Sequence, residues 1–264
     1  MRKRKTNEIK RLAKRALQGN FGTAILGVLI AFGTNIGASM LAGALFDSST
    51  TWGLILCQVF LFVISLVTGI LTAGLYYMYL NMARDRAFGL GDLVYFFKNC
   101  PDRVIVAGFV LALIDLVASI PYYCYSYLVV PGSSTQEWMD WAVRLTELML
   151  LGLVLNLLLS LPFVMTYFCL ADNPEISGIE ALRLSARMMK GNKWRYLCLL
   201  LSFLPMLLLS VFTFYILLLW MVPYMEMSVT VLYQELHGEL DGFGGNPIDT
   251  QRLFVQQDDY NSEA

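Results

Sequence analysis

The chain alternates long apolar segments with short polar ones. Six apolar runs reach the length of about 18 residues that marks a membrane span, and they cover roughly residues 21–45, 54–83, 104–130, 142–171, 194–212 and 215–236. A single helix over residues 194–236 would be about 65 Å long, more than twice the ~30 Å bilayer core. We therefore expect a tight hairpin at residues 213–215, with five spans as the alternative.

Three of the polar segments carry apolar residues at helical spacing. Such a pattern, with charges on the opposite face, is typical of amphipathic helices at a membrane surface. The apolar stripes precede spans one, three and five, and they comprise Ile9, Leu12, Ala13, Ala16 and Leu17; Leu90, Leu93, Val94 and Phe97; and Ile176, Ile179, Leu182, Ala186 and Met189.

The first and third of these stretches also resemble each other in sequence. Residues 11–20 and 183–192 are identical at five of ten positions, including a closing Gly-Asn. A helix-breaking or flexible residue, Gly74, Pro162 or Pro223, lies within the second span of each hairpin. We predict a threefold parallel repeat in which each unit is an interfacial helix followed by a hairpin. The alternative is that basic helices beside a membrane simply look alike.

Composition supports an all-α, polytopic helical membrane bundle. The chain has 264 residues, of which 57% are hydrophobic and 15% charged, and its mean hydropathy is +0.60. Soluble domains carry about a quarter charged residues. We divide the chain into a basic amphipathic interfacial helix (1–20), a six-span membrane domain (21–236) and an acidic tail (237–264) that we expect to be disordered.

The cations predict the orientation of the bundle. Eight Lys and Arg residues precede the first span, and further clusters lie between spans two and three and around the start of span five. Only Arg144 lies near the opposite side. The positive-inside rule then places both termini in the cytoplasm, as expected for a multi-pass protein of the cell membrane. A cleaved signal peptide ending near Ala42–Ala44 is the alternative, although the apolar stretch is long for one.

The residues that usually carry enzyme chemistry are scarce. The five cysteines form no CxxC pair, and His237 is the single histidine. This disfavours zinc sites and Ser–His hydrolases, and we expect no enzyme activity, no metal and no cofactor. The string Gly89–Asp92 matches the GxGD motif of intramembrane aspartyl proteases, but it lies in a charged segment, where Asp92 fits better as a helix cap.

Three polar residues fall near the centres of predicted spans. Asp115, Asn156 and Glu226 lie in spans three, four and six. Polar and ionisable groups at that depth are costly and are functional candidates by default. They define a candidate midplane polar site for a cation, a proton or a polar headgroup. The alternative is that each only hydrogen-bonds a neighbouring helix.

The basic amphipathic helices are candidates for contact with anionic lipid. Each cation near such a surface contributes about 1 kcal/mol, and the candidates are Lys10, Arg11, Lys14, Arg15, Arg183, Arg187, Lys190 and Lys193. The expected partners are therefore membrane lipids, with a protein partner or a second copy of the chain as further possibilities. Nucleic acid is not expected, because this charge lies against the membrane.

Several short strings resemble a known family. They are Asp172-Asn173-Pro174, Glu180-Ala181-Leu182, Ser185, Met189-Lys190-Gly191-Asn192, Leu201-Ser202-Phe203 and Pro223-Tyr224. They are similar to the uncharacterised integral membrane family of Firmicutes named domain of unknown function 975. A more distant likeness is to the membrane domain of some glycerophosphodiester phosphodiesterases. The resemblance implies a six-helix membrane protein and brings no catalytic residues.

Two functions fit these observations. The first is a non-enzymatic membrane protein that organises or senses lipid or a partner protein through its basic helices. The second is a small transporter or permease component with a midplane polar site. A transporter predicts a polar cavity accessible to water, whereas a scaffold predicts a dry, closely packed bundle.

Overall fold

The computed structural model describes residues 3–46, 50–173 and 175–241, and these residues form helices and no strand. The helices are α1 (Thr6–Leu17), α2 (Phe21–Leu45), α3 (Thr51–Ala83), α4 (Tyr95–Lys98), α5 (Pro101–Leu128), α6 (Thr135–Ser160), α7 (Thr166–Asp172), α8 (Gly178–Met189), α9 (Lys193–Leu201), α10 (Leu204–Phe212) and α11 (Leu218–His237). Short 3-10 turns lie at Leu90–Val94, Leu161–Phe163 and Glu239–Asp241. The all-helical class is confirmed.

Within the described residues, five segments are long and apolar enough to cross a membrane. They are Phe21–Leu45, Ile55–Ala83, Pro101–Leu128, Thr135–Asp172 and Lys193–Phe212. The chain is thus a multi-pass membrane protein by length and composition. Helix α11, the sixth predicted span, is not among the five. It is separated from α10 by a sharp turn in which Phe214 and Tyr215 have positive φ angles of 50° and 63°, at the place where the sequence predicts a hairpin.

The two ends of the bundle differ in packing. We call the end that carries α1, α4 and α8 the basic end and the opposite one the far end. At the basic end Tyr79, Phe168 and Tyr233 are completely buried. At the far end Leu128 and Phe212 are 80% and 81% exposed, as residues facing lipid would be. The core of the protein therefore lies at the basic end, and the helices are loosely packed beyond it.

The amphipathic stretches bury part of their apolar faces against protein. In α1 the side chains of Ile9, Ala13 and Leu17 are buried, and the helix packs on α11. Helix α8 packs on α5 and α7, and the turn Leu90–Val94 packs on α3. Other apolar residues of these stretches, Leu90, Val94, Phe97 and Ile179, are exposed, and their contact with the membrane surface stays a prediction.

The turns after α1 and α8 have the same geometry. Gly19 and Gly191 adopt φ angles of 85° and 79°, in the left-handed region that glycine occupies without strain. The amide of Asn20 donates to the Leu17 carbonyl at 2.9 Å, and that of Asn192 donates to the Met189 carbonyl at 3.0 Å. The shared Gly-Asn strings thus form the same connection from a surface helix into the bundle.

Side chains of the amphipathic helices also form hydrogen bonds with backbone groups at the points where the long helices are interrupted. At the break between α6 and α7, the Ser185 hydroxyl donates to the Pro162 carbonyl at 2.9 Å and accepts the Met165 amide at 3.1 Å. At the break between α9 and α10, Lys10 Nζ donates to the Ser202 carbonyl at 3.1 Å. Lys10 therefore points into the bundle, and burial lowers its pKa. Lipid contact by Lys10 stays a prediction.

Candidate polar groove at membrane depth

One face of α3 carries a row of polar side chains. Gln58, Ser65, Thr68 and Thr72 are separated by seven, three and four residues, which places them on one side of a helix. At 1.5 Å per residue the row is about 21 Å long. The hydroxyls of Ser65, Thr68 and Thr72 donate to carbonyls of their own helix at 2.7, 3.2 and 2.9 Å. The hydroxyl hydrogens are thus already used, while the hydroxyl oxygen atoms can still accept hydrogen bonds from a ligand or from water.

Polar groups from three other helices face this row. Asn35 of α2, Asp115 and Tyr123 of α5 and Tyr167 of α7 line the same cavity of about 550 Å³, which we call the polar groove. Small residues make room for Tyr167. A Cβ atom at Gly69 or Gly108 would lie 3.2 or 3.4 Å from its hydroxyl oxygen.

A second cavity opens on the neighbouring side of α5. This α5–α6 cleft has a volume of about 660 Å³, and its walls include Leu148, Met149, Leu153 and Leu157 together with Asn156. Asn156 donates from Nδ2 to Asp115 Oδ1 at 2.8 Å. Asp115 and Tyr123 line both cavities, so the carboxylate stands where the groove and the cleft meet.

Glu226 lies apart from this pair. It is on α11, which packs on α1, α2 and α3, and the Tyr76 hydroxyl is within hydrogen-bonding reach of its carboxylate. It lines neither cavity. The structure therefore brings together two of the three predicted midplane residues and places the third in the helix packing at the basic end.

The sequence analysis missed most of the groove. The polar row of α3 was detectable from its spacing, since four polar residues on one face of an apolar span are unusual. Asn35, Tyr123 and Tyr167 carry no such signal. They join the groove only because α2, α5 and α7 turn those positions towards α3.

A second polar cluster lies at the basic end, where α3, α7 and α11 finish. The Arg84 guanidinium bridges the carboxylates of Asp172 and Glu239, and the Tyr233 hydroxyl donates to Asp172 Oδ2 at 2.7 Å. We call these residues, with His237, the ion cluster. Burial opposes the charge of Glu239, but hydrogen bonds with His237 and Arg84, and their charges, outweigh it and lower its pKa to about 2.

The ion cluster offers ligand atoms for a metal, but Arg84 already occupies it. One atom from each of Asp172, His237 and Glu239 lies within 4.8 Å of the other two. The guanidinium of Arg84 contacts both carboxylates and balances their charge. The arrangement fits a structural ion network better than a metal centre. It also shows that the ordered fold extends past residue 237, into the predicted tail, whose residues 242–264 lie outside the described part of the chain.

The other predicted lipid-contact residues lie on the surface. Apart from Lys10, the exposed cations on α1 and α8 and in the following turn are Arg11, Lys14, Arg15, Arg183, Arg187, Lys190 and Lys193. They share the basic end of the bundle with the ion cluster. This end thus combines a buried charge network with an exposed basic surface.

The protease-like string does not form an acid pair. Asp92 lies in the turn Leu90–Val94 and accepts the amide of Gly89 at 3.3 Å and the side chain of Asn81 at 3.4 Å. It caps this turn from its third position instead of starting a helix at Leu93. Asp115 has Asn156 as its partner. The two carboxylates therefore do not share a proton as an aspartyl dyad does.

Comparison with known proteins gives one match. Residues 1–239 match the family described as "Protein of unknown function (DUF975)". No curated protein and no solved structure matches the chain.

Proposed function

We propose that this chain, which belongs to the DUF975 family of unknown function, is a small transporter or permease component that binds its substrate in the polar groove. The row of polar side chains on α3 facing Asp115 is the observation that carries this proposal. It favours the second of the two functions expected from the sequence. No enzyme activity is part of the proposal.

The cost of polar groups at membrane depth supports a bound occupant. An amide or carboxylate facing hydrocarbon without partners costs several kcal/mol. Asn35, Gln58 and Asp115 line the groove. Asn35 donates to the Ala31 carbonyl at 2.9 Å and Asp115 accepts from Asn156 at 2.8 Å, and water or a polar substrate would bind the hydrogen-bonding atoms that these bonds leave over and so offset the remaining cost. Helix packing alone would be achieved more cheaply with leucine and alanine at these positions.

Packed aromatic rings lie beside the groove. Tyr76 packs on Tyr167 and Phe168, with ring centroids 6.1 and 4.5 Å apart, and Phe168 stacks on Tyr233 at 5.1 Å. These rings belong to the core at the basic end, and Tyr167 also lines the groove. In a transporter that works by alternating access, a packed layer of this kind would separate the substrate site from one side of the membrane.

Cysteine labelling tests whether the groove holds water. Ser65 lines the groove and is exposed, whereas Val67, two residues further along α3, is 43% exposed outside it. We expect a charged, membrane-impermeant thiosulfonate to label Ser65→Cys at least ~10-fold faster than Val67→Cys, because thiolate forms readily only where water is present. Peptide mapping by mass spectrometry separates both sites from the native cysteines. Equal rates would refute the proposal.

We also propose that the fold consists of three repeated units. Each amphipathic stretch packs on the second helix of another hairpin: α1 on α11, Leu90–Val94 on α3, and α8 on α7. Arg84, Asp172 and Tyr233 each lie ten residues after the breaker of their hairpin, at Gly74, Pro162 and Pro223. These three equivalent positions meet in the ion cluster. The repeat requires that the three units superpose in an experimental structure.

The sixth span and the orientation belong to the same proposal. If α11 completes a third hairpin, both termini lie on one side of the membrane, and the cations of α1 and α8 make it the cytoplasmic side of the cell membrane. Reporter fusions at each terminus test this directly. A reporter active outside the cytoplasm at either end would contradict it.

Lipid binding by the basic surface is a second candidate function. The exposed cations of α1 and α8 support it. Native mass spectrometry of the purified chain should detect bound phosphatidylglycerol, and the variant R11Q/K14Q/R15Q should retain several-fold less of it. Lipid retention that is unchanged in this variant would exclude α1 as the contact.

A further inference from the structure

We propose that the substrate is a hydrophobic organic cation, whose charge lies beside Asp115 in the polar groove and whose apolar part lies in the α5–α6 cleft. This rests on the proposed function and names the class of molecule that the same site would accept. The geometry points to it because one carboxylate lines both the polar groove and the α5–α6 cleft, whose α6 wall carries Met149, Leu153 and Leu157.

The charge of the site favours a cation. Among the described residues that line the two cavities, Asp115 is the only acidic one, and none is Lys, Arg or His. Asn156 donates to Oδ1, and Oδ2 can accept from a ligand. An anion would meet a carboxylate with no compensating base. At a depth where water screens charge weakly, this repulsion is large.

Aromatic rings in the cleft fit an organic cation. Tyr122 and Tyr123 line the cleft together with Asp115, their ring centroids are 5.4 Å apart, and Tyr127 stacks on Tyr123 at 6.0 Å. The faces of such rings attract organic cations. A small metal cation prefers a shell of several oxygen ligands at short distance, and one carboxylate beside an amide does not supply it.

The α6 wall of the cleft offers a surface for the apolar part of the ligand. Met149, Leu153 and Leu157 recur every four residues and so follow one face of α6. Gly152 allows this helix to approach α5, since a Cβ atom there would lie 3.1 Å from the Ala118 carbonyl oxygen. A ligand with a polar and an apolar part can therefore occupy both cavities at once.

Two hydrophobic ions of nearly equal size and opposite charge test whether the site selects a cation. We would measure binding of radiolabelled tetraphenylphosphonium to the full chain in phosphatidylcholine nanodiscs, with empty nanodiscs subtracted, and measure tetraphenylborate in separate samples, because the two ions pair with each other in solution. We expect saturable binding of tetraphenylphosphonium and no saturable binding of tetraphenylborate. Asp115→Asn should weaken tetraphenylphosphonium binding about 10-fold or more, because a partly desolvated charge pair is lost.

Matched variants distinguish the effect of losing the Asp115 charge from the effect of a folding defect. Asp115→Glu keeps the charge and should restore most of the binding. Glu147→Gln removes another carboxylate of the far half, paired with Arg144 on the exposed face of α6, and should bind like the wild type. If Asp115→Asn binds tetraphenylphosphonium as tightly as the wild type, or if tetraphenylborate measured separately binds equally well, the proposal is overturned.

The outcomes also distinguish this inference from the proposed function. If Ser65→Cys is labelled rapidly but tetraphenylphosphonium neither binds nor slows the labelling, the groove is a polar path and only the cationic class fails. If Ser65→Cys reacts no faster than Val67→Cys, the groove holds no water and both proposals fail.

Discussion

The ion cluster should make the stability of the basic end depend on pH. Although burial opposes its charge, His237 and Arg84 lower the pKa of Glu239 from 4.5 to about 2. A difference of that size corresponds to about 3 kcal/mol at 1.36 kcal/mol per unit, and little is lost to solvent because the Glu239 side chain is only 15% exposed. Since the folded-state pKa is the lower one, this stabilisation is present above pH ~4.5 and is lost as the pH falls through ~2.

We therefore expect Glu239→Gln to destabilise the protein by about 1–3 kcal/mol at pH 7. The difference from the wild type should shrink steadily between pH 4.5 and 2, where Glu239 itself becomes protonated. Thermal unfolding in detergent, followed by intrinsic fluorescence over a pH series, measures both effects. Glu147→Gln is the matched control, because its ion pair with Arg144 is exposed and contributes at most ~1 kcal/mol. A Glu239→Gln protein as stable as the wild type at pH 7, or a difference that persists at pH 2, would refute the reasoning.

Two further predictions concern packing at the basic end. Gly74→Ala should lower stability by about 1–3 kcal/mol, because its Cβ would lie 2.2 Å from a backbone oxygen of the turn Leu90–Val94. Gly37→Ala, with nothing within 4 Å, should not; equal melting temperatures would contradict this. Lys10→Met should cost about 1–2 kcal/mol by leaving a carbonyl at the α9–α10 break unsatisfied. Lys14→Met, on the exposed face, should change stability by less than ~0.5 kcal/mol, and similar losses for both lysines would count against the inward role of Lys10.

The helices and their connections were largely readable from the sequence. Apolar runs of span length mark the five long segments, and the length of a bilayer predicts the turn near Tyr215. The shared Gly-Asn strings predict matching turns, and Gly19 and Gly191 do adopt nearly the same left-handed angle. These features depend on hydropathy and on local backbone preferences, which each short stretch of chain carries by itself.

The candidate site was readable only in part. Sequence position gives the depth of Asp115, Asn156 and Glu226 along their helices, but not the direction in which each side chain points. Asp115 and Asn156 meet because α5 and α6 form a close pair. Glu226 turns towards Tyr76, because α11 packs on another side of the bundle.

The sequence by itself thus determined an all-helical membrane protein, its amphipathic helices and the depth of its polar groups. The tertiary structure decided which faces meet. It directed Lys10 to the α9–α10 break, covered part of the apolar faces of α1 and α8 with protein, and assembled the polar groove from four helices. The physical reason is that hydropathy and helical periodicity are local, whereas the rotation of each helix is set by close packing with partners far away in the chain.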